Sequence, residues 1–223
     1  MKELKFLIIA ILILVIILFT YKTSNRLIQE NRFLKQAISK LKADSRVAEV
    51  LVTGVNFDEK SKKNLTTIKF LEYDTNGLPL PAKYFTFTGN IIQFQSLVVR
   101  FDDLHVTNGS KLKGRSAYLF WKVFMLDDTD TQIYEITKVN EVPLGYRLST
   151  AKNKFEEELW RNFWKYALDP DKAEKLGIKN AQIEAPGTAF VPGTIYIIKI
   201  EHDGGMRIDA KPVPQILRGE KIL

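Results

Sequence analysis

Hydrophobic and polar positions divide the chain into three regimes. Phe6 to Tyr21 (FLIIAILILVIILFTY) is charge-free, apolar on every face, and bracketed by Lys5 and Lys22. A helix with no polar stripe to turn toward water belongs in lipid or a deep core. The run therefore predicts a transmembrane anchor over residues 6–21 behind a short tail, 1–5. It is slightly short for a bilayer core, which takes about 17 residues at the least. Leu4 and the alkyl stems of Lys5 and Lys22 extend it while the ammonium groups reach the headgroups. A cleaved signal peptide fits less well, because Thr20-Tyr21-Lys22-Thr23-Ser24 offers no small-x-small site.

Residues 22–46 change to a 3-4 alternation. Leu27, Leu34 and Leu41 fall at one core position, Asn31 and Ile38 at the other. Leucine at d with a single asparagine at a predicts a short parallel coiled-coil stalk that dimerises and fixes its register through Asn31. Glu30 is placed to reach Lys35 of a partner helix. Pairing with a different anchored helix, or packing as one amphipathic helix, are the alternatives for so few heptads.

Beyond residue 46 the period becomes two. VAEVLVTGV (47–55) and LTTIKFLEY (65–73) are rich in β-branched and aromatic residues, as strands are. Further strands are predicted over 84–88, 91–101, 117–126 and 132–139, with turns at Asp74-Thr75-Asn76-Gly77, Thr88-Gly89-Asn90 and Asn108-Gly109. This spacing predicts a small antiparallel sandwich or barrel over 47–148. Residues 149–223 are expected to add one aromatic helix and a C-terminal hairpin packing on it, before a loose tail. The helix is capped by Ser149 or Thr150, with Phe155, Leu159, Phe163 and Tyr166 as the packing stripe. A short second helix runs from Asp169 to Gly177, and the hairpin turns at Asp203-Gly204-Gly205. The fold class is thus α+β, mainly antiparallel β, behind a membrane helix and stalk.

Charge sharpens this division. The net charge is +7 in 223 residues, yet residues 64–223 hold 21 Lys/Arg against 20 Asp/Glu. The basic excess sits in the anchor and stalk, where it suits anionic lipid headgroups; a nucleic-acid binder would carry it on the folded domain. Flanking charges alone lean toward a cytoplasmic body. Short-tailed signal anchors nevertheless often export the domain behind them, and a chain without cysteine tolerates an oxidising compartment. The expected location is the cell membrane, single-pass, with an extracytoplasmic body.

The candidate chemistry is sparse. His105 and His202 each have carboxylate neighbours but no second histidine at ligand spacing, so surface or structural roles account for them better than zinc. Asp127-Asp128-Thr129-Asp130 lacks the glycine of a calcium loop, and Val139 stands where its glutamate belongs. Glu156, Glu157 and Glu158 suit the N-terminal end of a helix dipole rather than paired acid/base work. Gly204-Gly205 reads as a turn. No metal or cofactor is expected. An exposed Trp160/Trp164 edge on the aromatic helix would make a partner-docking surface, since tryptophan supplies large contact area at interfaces; burial on the sheet is its ordinary alternative.

The order of parts (tiny tail, single span, short coil, β-rich body) resembles that of bacterial bitopic envelope scaffolds, including the rod-shape scaffold linking wall synthesis to the cytoskeleton. The likeness is one of plan, and no residue is carried over from it. The sequence reading is a non-enzymatic, membrane-anchored prokaryotic envelope scaffold or interaction module, dimeric through its stalk. Its expected partners are membrane lipid and an envelope protein or wall component, not nucleic acid. The alternative is a membrane-anchored enzyme or ligand sensor with a cleft between the sheet and the aromatic helix.

Overall fold

The computed structural model describes residues 11–25, 28, 46–60, 62–101, 116–126, 131–148, 153–169, 171, 178–184, 187–200 and 205–215. The chain divides into two units, Met1–Ser39 and Lys40–Leu223. In the first, residues 11–25 form helix α1, whose large apolar side chains are exposed. Thr20 and Thr23 turn their hydroxyls back onto the helix, donating to Ile16 O and Phe19 O at 2.9 Å. Among the described residues no helix is long and apolar enough to cross a membrane. Residues 6–10 of the expected span lie outside the described residues. So do the stalk positions Leu27, Asn31, Leu34, Ile38 and Leu41.

The second unit is α+β, with every strand pair antiparallel. The strands are β1 (Arg46–Asp58), β2 (Lys63–Glu72), β3 (Lys83–Phe87), β4 (Ile91–Phe101) and β5 (Ser116–Met125), then β6 (Gln132–Glu135), β7 (Ile178–Glu184), β8 (Thr188–Ala189), β9 (Thr194–Ile200) and β10 (Met206–Pro212). Helix α2 (Lys154–Ala167) lies between β6 and β7. Two open sheets result, β10-β9-β1-β2-β3 and β6-β5-β4-β7, with β8 pairing the start of β4.

Period-two patterning explains the layering. Ala48, Val50 and Val52 alternate with half-buried positions and meet Phe94, Tyr118 and Phe120 of the second sheet in the main core. The reverse face of that second sheet carries Leu97, Val99, Leu119 and Trp121, which pack against Trp160, Trp164 and Ala167 of α2. The second sheet is therefore buried on both faces, as its nearly continuous apolar sequence SAYLFWKVFM allows.

A bulge keeps that strand in register. Gln95 pairs Lys122 while the next residue, Ser96, pairs Phe120, so Trp121 is the extra residue. Inward positions shift from Tyr118 and Phe120 to Val123 and Met125 across it. Without the bulge, Lys122 would point into the core.

Four expectations change here. The residues beyond 149 do not pack on a finished β-domain; β9 pairs β1 and β7 pairs β4, so they complete both sheets. The cap of α2 is Asn153, whose side chain accepts from Phe155 N and Glu156 N. The strand predicted to Val139 stops at Glu135, and residues 136–148 cross the sandwich as a strap. The chain after Lys211 is tied down at first, since Val213 is buried and its N–H donates to Gly193 O at 2.9 Å.

Candidate functional site

Two concavities occupy opposite ends of the sandwich. The first lies beneath the strap. Lys83 donates to Ile136 O, Tyr134 Oη to Thr86 O at 2.7 Å, and Thr88 N to Gln132 Oε1 at 2.8 Å, lacing β3 to the β6 side. Thr137 Oγ1 donates to Phe120 O and the Trp164 indole N–H to Glu141 O, both at 2.8 Å. At the end of the strap Tyr146 is buried. Its hydroxyl accepts from Tyr118 N and donates to Tyr118 O, each at 3.1 Å, satisfying β5 where β6 no longer runs beside it. The adjoining Leu148 N–H is taken by the buried Glu156 at 2.9 Å.

Arg46 stands behind this strap. It is 2 % exposed, pairs with Glu72, and lies 5.0 Å from the centroid of the Tyr146 ring. Its Nε and Nη1 are buried without a hydrogen-bond partner among the described residues. A Cβ on Gly145 would overlap its guanidinium, so the strap passes there only because residue 145 has no side chain.

Between strap and sheet remains a crevice of about 160 Å³. Its charged lining is Glu72, Glu135 and Glu141 with Lys83, Lys138 and Arg147; Phe70, Leu80, Val142 and Leu144 supply the apolar part. Burial pulls the Lys83 ammonium below the ordinary lysine value, against the opposing pull of Glu72 and Glu141. Burial raises the Tyr146 phenol above its ordinary value, the nearby Arg46 charge opposing it. Burial, followed by the hydrogen bond to Glu49, also raises Tyr73.

The second concavity is the mouth of the sandwich at the far end of β1, about 640 Å³. Val55, Ile91, Leu126 and Pro192 line it above a floor of Met125 and Phe190; Thr66 and Thr88 add hydroxyls. Ile91 and Leu126 are 60 % and 64 % exposed, and Val55 is 46 % exposed. Among the described residues its lining has one charged side chain, Lys63, and no carboxylate. Phe57, two residues beyond Val55 on the same face of the β1–β2 hairpin, is also exposed.

Trp160 and Trp164 are 6 % and 1 % exposed, packed against Leu97, Leu119 and Tyr146. The exposed edge required for docking at these two residues is therefore not present. The α2 face has turned: Glu156, Trp160, Trp164 and Ala167 point inward, while Phe155, Leu159 and Phe163 are only half-buried. At the helix–sheet interface, expected to hold a cleft in the alternative reading, Leu97, Val99, Leu119 and Trp121 pack directly on Trp160, Trp164 and Ala167 among the described residues. His105, His202 and Asp127 to Asp130 lie outside the described residues. Among the described residues no group of three or more metal-ligating side chains occurs.

Neither concavity was singled out from the sequence. Val55, Ile91 and Leu126 read there as ordinary strand positions, and the crevice charges are spread over 76 positions. No family model, curated protein or solved structure matches the chain.

Proposed function

We propose that this chain is a membrane-tethered, non-enzymatic interaction module of a prokaryotic cell envelope, whose sandwich mouth receives an apolar segment of a partner protein. The observation that carries the reading is the cluster of exposed Val55, Ile91 and Leu126 around one concavity. Scattered exposed apolar side chains need no explanation, but a contiguous set rimming a groove marks an interaction site. The positive charge of Lys63 in the lining favours a partner segment that carries an acidic residue beside its apolar ones.

The tether completes the proposal. The charge-free run from Phe6 to Tyr21 is the anchor, and the α1 hydroxyls bonded to their own backbone suit an apolar surrounding. Leu27, Asn31, Leu34, Ile38 and Leu41 pair two copies, or one copy with another anchored helix. Confinement to one membrane strengthens such a short coil by raising effective concentration. The body lies outside the cytoplasm in this reading.

Site-specific photocrosslinking of the full chain in its own membrane tests the mouth. A photoreactive side chain at position 91 or 126 should give a discrete protein adduct, and one at the exposed Tyr84 on the outer sheet face should not. Equal labelling from all three positions, or none from 91 and 126, overturns the reading.

A further inference from the structure

The strap crevice has a charge pattern of its own, independent of the mouth. It is set beside Glu72, opposite Ala48 of β1, whereas the mouth is set beside Thr66, opposite Val55. At about 3.3 Å per residue these lie roughly 20 Å apart along the strand. Three carboxylates and three cations line the crevice. A ligand of one sign would meet both attraction and repulsion there. A molecule bearing both signs a few ångströms apart satisfies both sets, and the apolar patch of Leu80, Val142 and Leu144 gives its carbon chain a seat.

Two further observations point the same way. Lys83, Glu72, Glu141 and Lys138 all line the crevice, and the charges of the other three act on the Lys83 amine. Arg46, buried behind Glu72, pairs with that carboxylate and fixes its position at the crevice. The volume of about 160 Å³ suits a molecule of amino-acid size.

We propose that the crevice under the strap binds a small zwitterion of the free amino-acid class. Its ammonium lies toward Glu72 and Glu141, its carboxylate toward Lys83 and Lys138, and its side chain on Leu80 and Val142. The strap contributes Glu141, Lys138 and Val142 at once, so occupancy also fixes the strap against β2 and β3.

The test is calorimetric titration of the full chain in detergent with glycine, L-alanine and L-leucine. Propionate and propylamine serve as the single-sign counterparts. Saturable binding of at least one amino acid, about tenfold tighter than either single-sign probe, is the expected result. Glu141→Gln and Lys138→Gln, both at exposed strap positions, should each weaken it about tenfold with the melting temperature unchanged. The proposal is overturned if no amino acid binds at millimolar concentration. It is likewise overturned if the single-sign probes bind as well, or if both variants bind like the parent chain. Crosslinking from positions 91 and 126 is unaffected by any of these outcomes, so the two proposals fail separately.

Discussion

The Arg46 guanidinium lies over the ring of Tyr146, 5.0 Å from its centroid, and this stack joins the first residue of the first strand to the end of the strap. Arg46 is also paired with Glu72. A buried ion pair offsets its desolvation only when its remaining hydrogen-bonding groups are satisfied, and among the described residues Nε and Nη1 have no partner. The pair is better understood as a register device. It gives residues 136–148 one place to cross, because only that path brings Gly145 and Tyr146 onto the guanidinium.

Gly145→Ala tests this closure. The added methyl must displace the Arg46 guanidinium, which is buried and held by Glu72. Overpacking of this kind costs about 1–3 kcal/mol. In an Arg46→Met background the obstacle is gone, and the same substitution should cost markedly less. Urea unfolding of the four chains measures the coupling. An equal penalty in both backgrounds would refute the closure argument.

Tyr146→Phe leaves the ring on Arg46 but removes the hydroxyl that serves both backbone groups of Tyr118. Loss of these two buried hydrogen bonds should cost about 1–3 kcal/mol. The same variant carries a pH signature. Burial raises the Tyr146 phenol above its unfolded value of 10.0, so the folded chain holds this proton longer than the unfolded one. The stability it contributes is complete below pH 10 and is lost as pH rises through the raised value. The alkaline fall in stability should therefore be shallower in Tyr146→Phe than in the parent; matching slopes would remove Tyr146 as its source.

Lys83 has the opposite sign. Its folded-state value is lowered, chiefly by burial, from the unfolded 10.5. Below the lowered value both states carry the proton, and the folded chain bears a partly desolvated ammonium. Between the lowered value and 10.5 the folded lysine is neutral while the unfolded one is charged, so stability rises with pH across that window. Lys83→Met should abolish this rise. Its strap, released from the Ile136 carbonyl, should also show faster amide hydrogen exchange at residues 136–138. Unchanged exchange there would mean that the lysine does not hold the strap.

Local pattern carried the sheets further than it carried the sites. Alternation at Ala48, Val50 and Val52 and at Ile68 and Phe70 identifies inward faces directly. The β9–β10 hairpin is bounded by its own turn residues. In contrast, β7 (IKNAQIE) has too few β-branched residues to stand out, and β5 is apolar at almost every position, which conceals the parity change at Trp121. Helix α2 has two adjoining apolar faces, and the one containing Glu156 turned inward. That carboxylate accepts from the Leu148 N–H, a partner no helical periodicity reveals. Arg46 and Tyr146 are a hundred positions apart and meet only through tertiary packing. The crevice and the mouth are likewise assembled from strand ends and turns that are distant in sequence.

The orientation of α2 makes its tryptophans structural. Trp164 is fully buried and its indole N–H holds the Glu141 carbonyl. Trp164→Ala should cost about 3–5 kcal/mol, while Trp164→Phe should lose less and chiefly release the strap at Glu141. An alanine variant that keeps the parent's thermal midpoint would restore the helix edge as an exposed docking surface.

The mouth should behave in the reverse manner. Ile91 and Leu126 are mostly exposed, so replacing either with aspartate removes little that the folded chain uses; surface changes of this kind stay within about 0.5 kcal/mol. Burying an apolar side chain in a complex contributes about 1.5–3 kcal/mol, and an aspartate there adds the cost of a desolvated charge facing an acidic partner segment. Ile91→Asp and Leu126→Asp should therefore melt like the parent yet lose the adduct formed from a photoreactive group at Val55 on the same rim. Lys63→Glu, which reverses the charge of the lining, should weaken the same adduct without removing it. Persistence of the Val55 adduct through both aspartate variants would place the partner elsewhere on the sandwich.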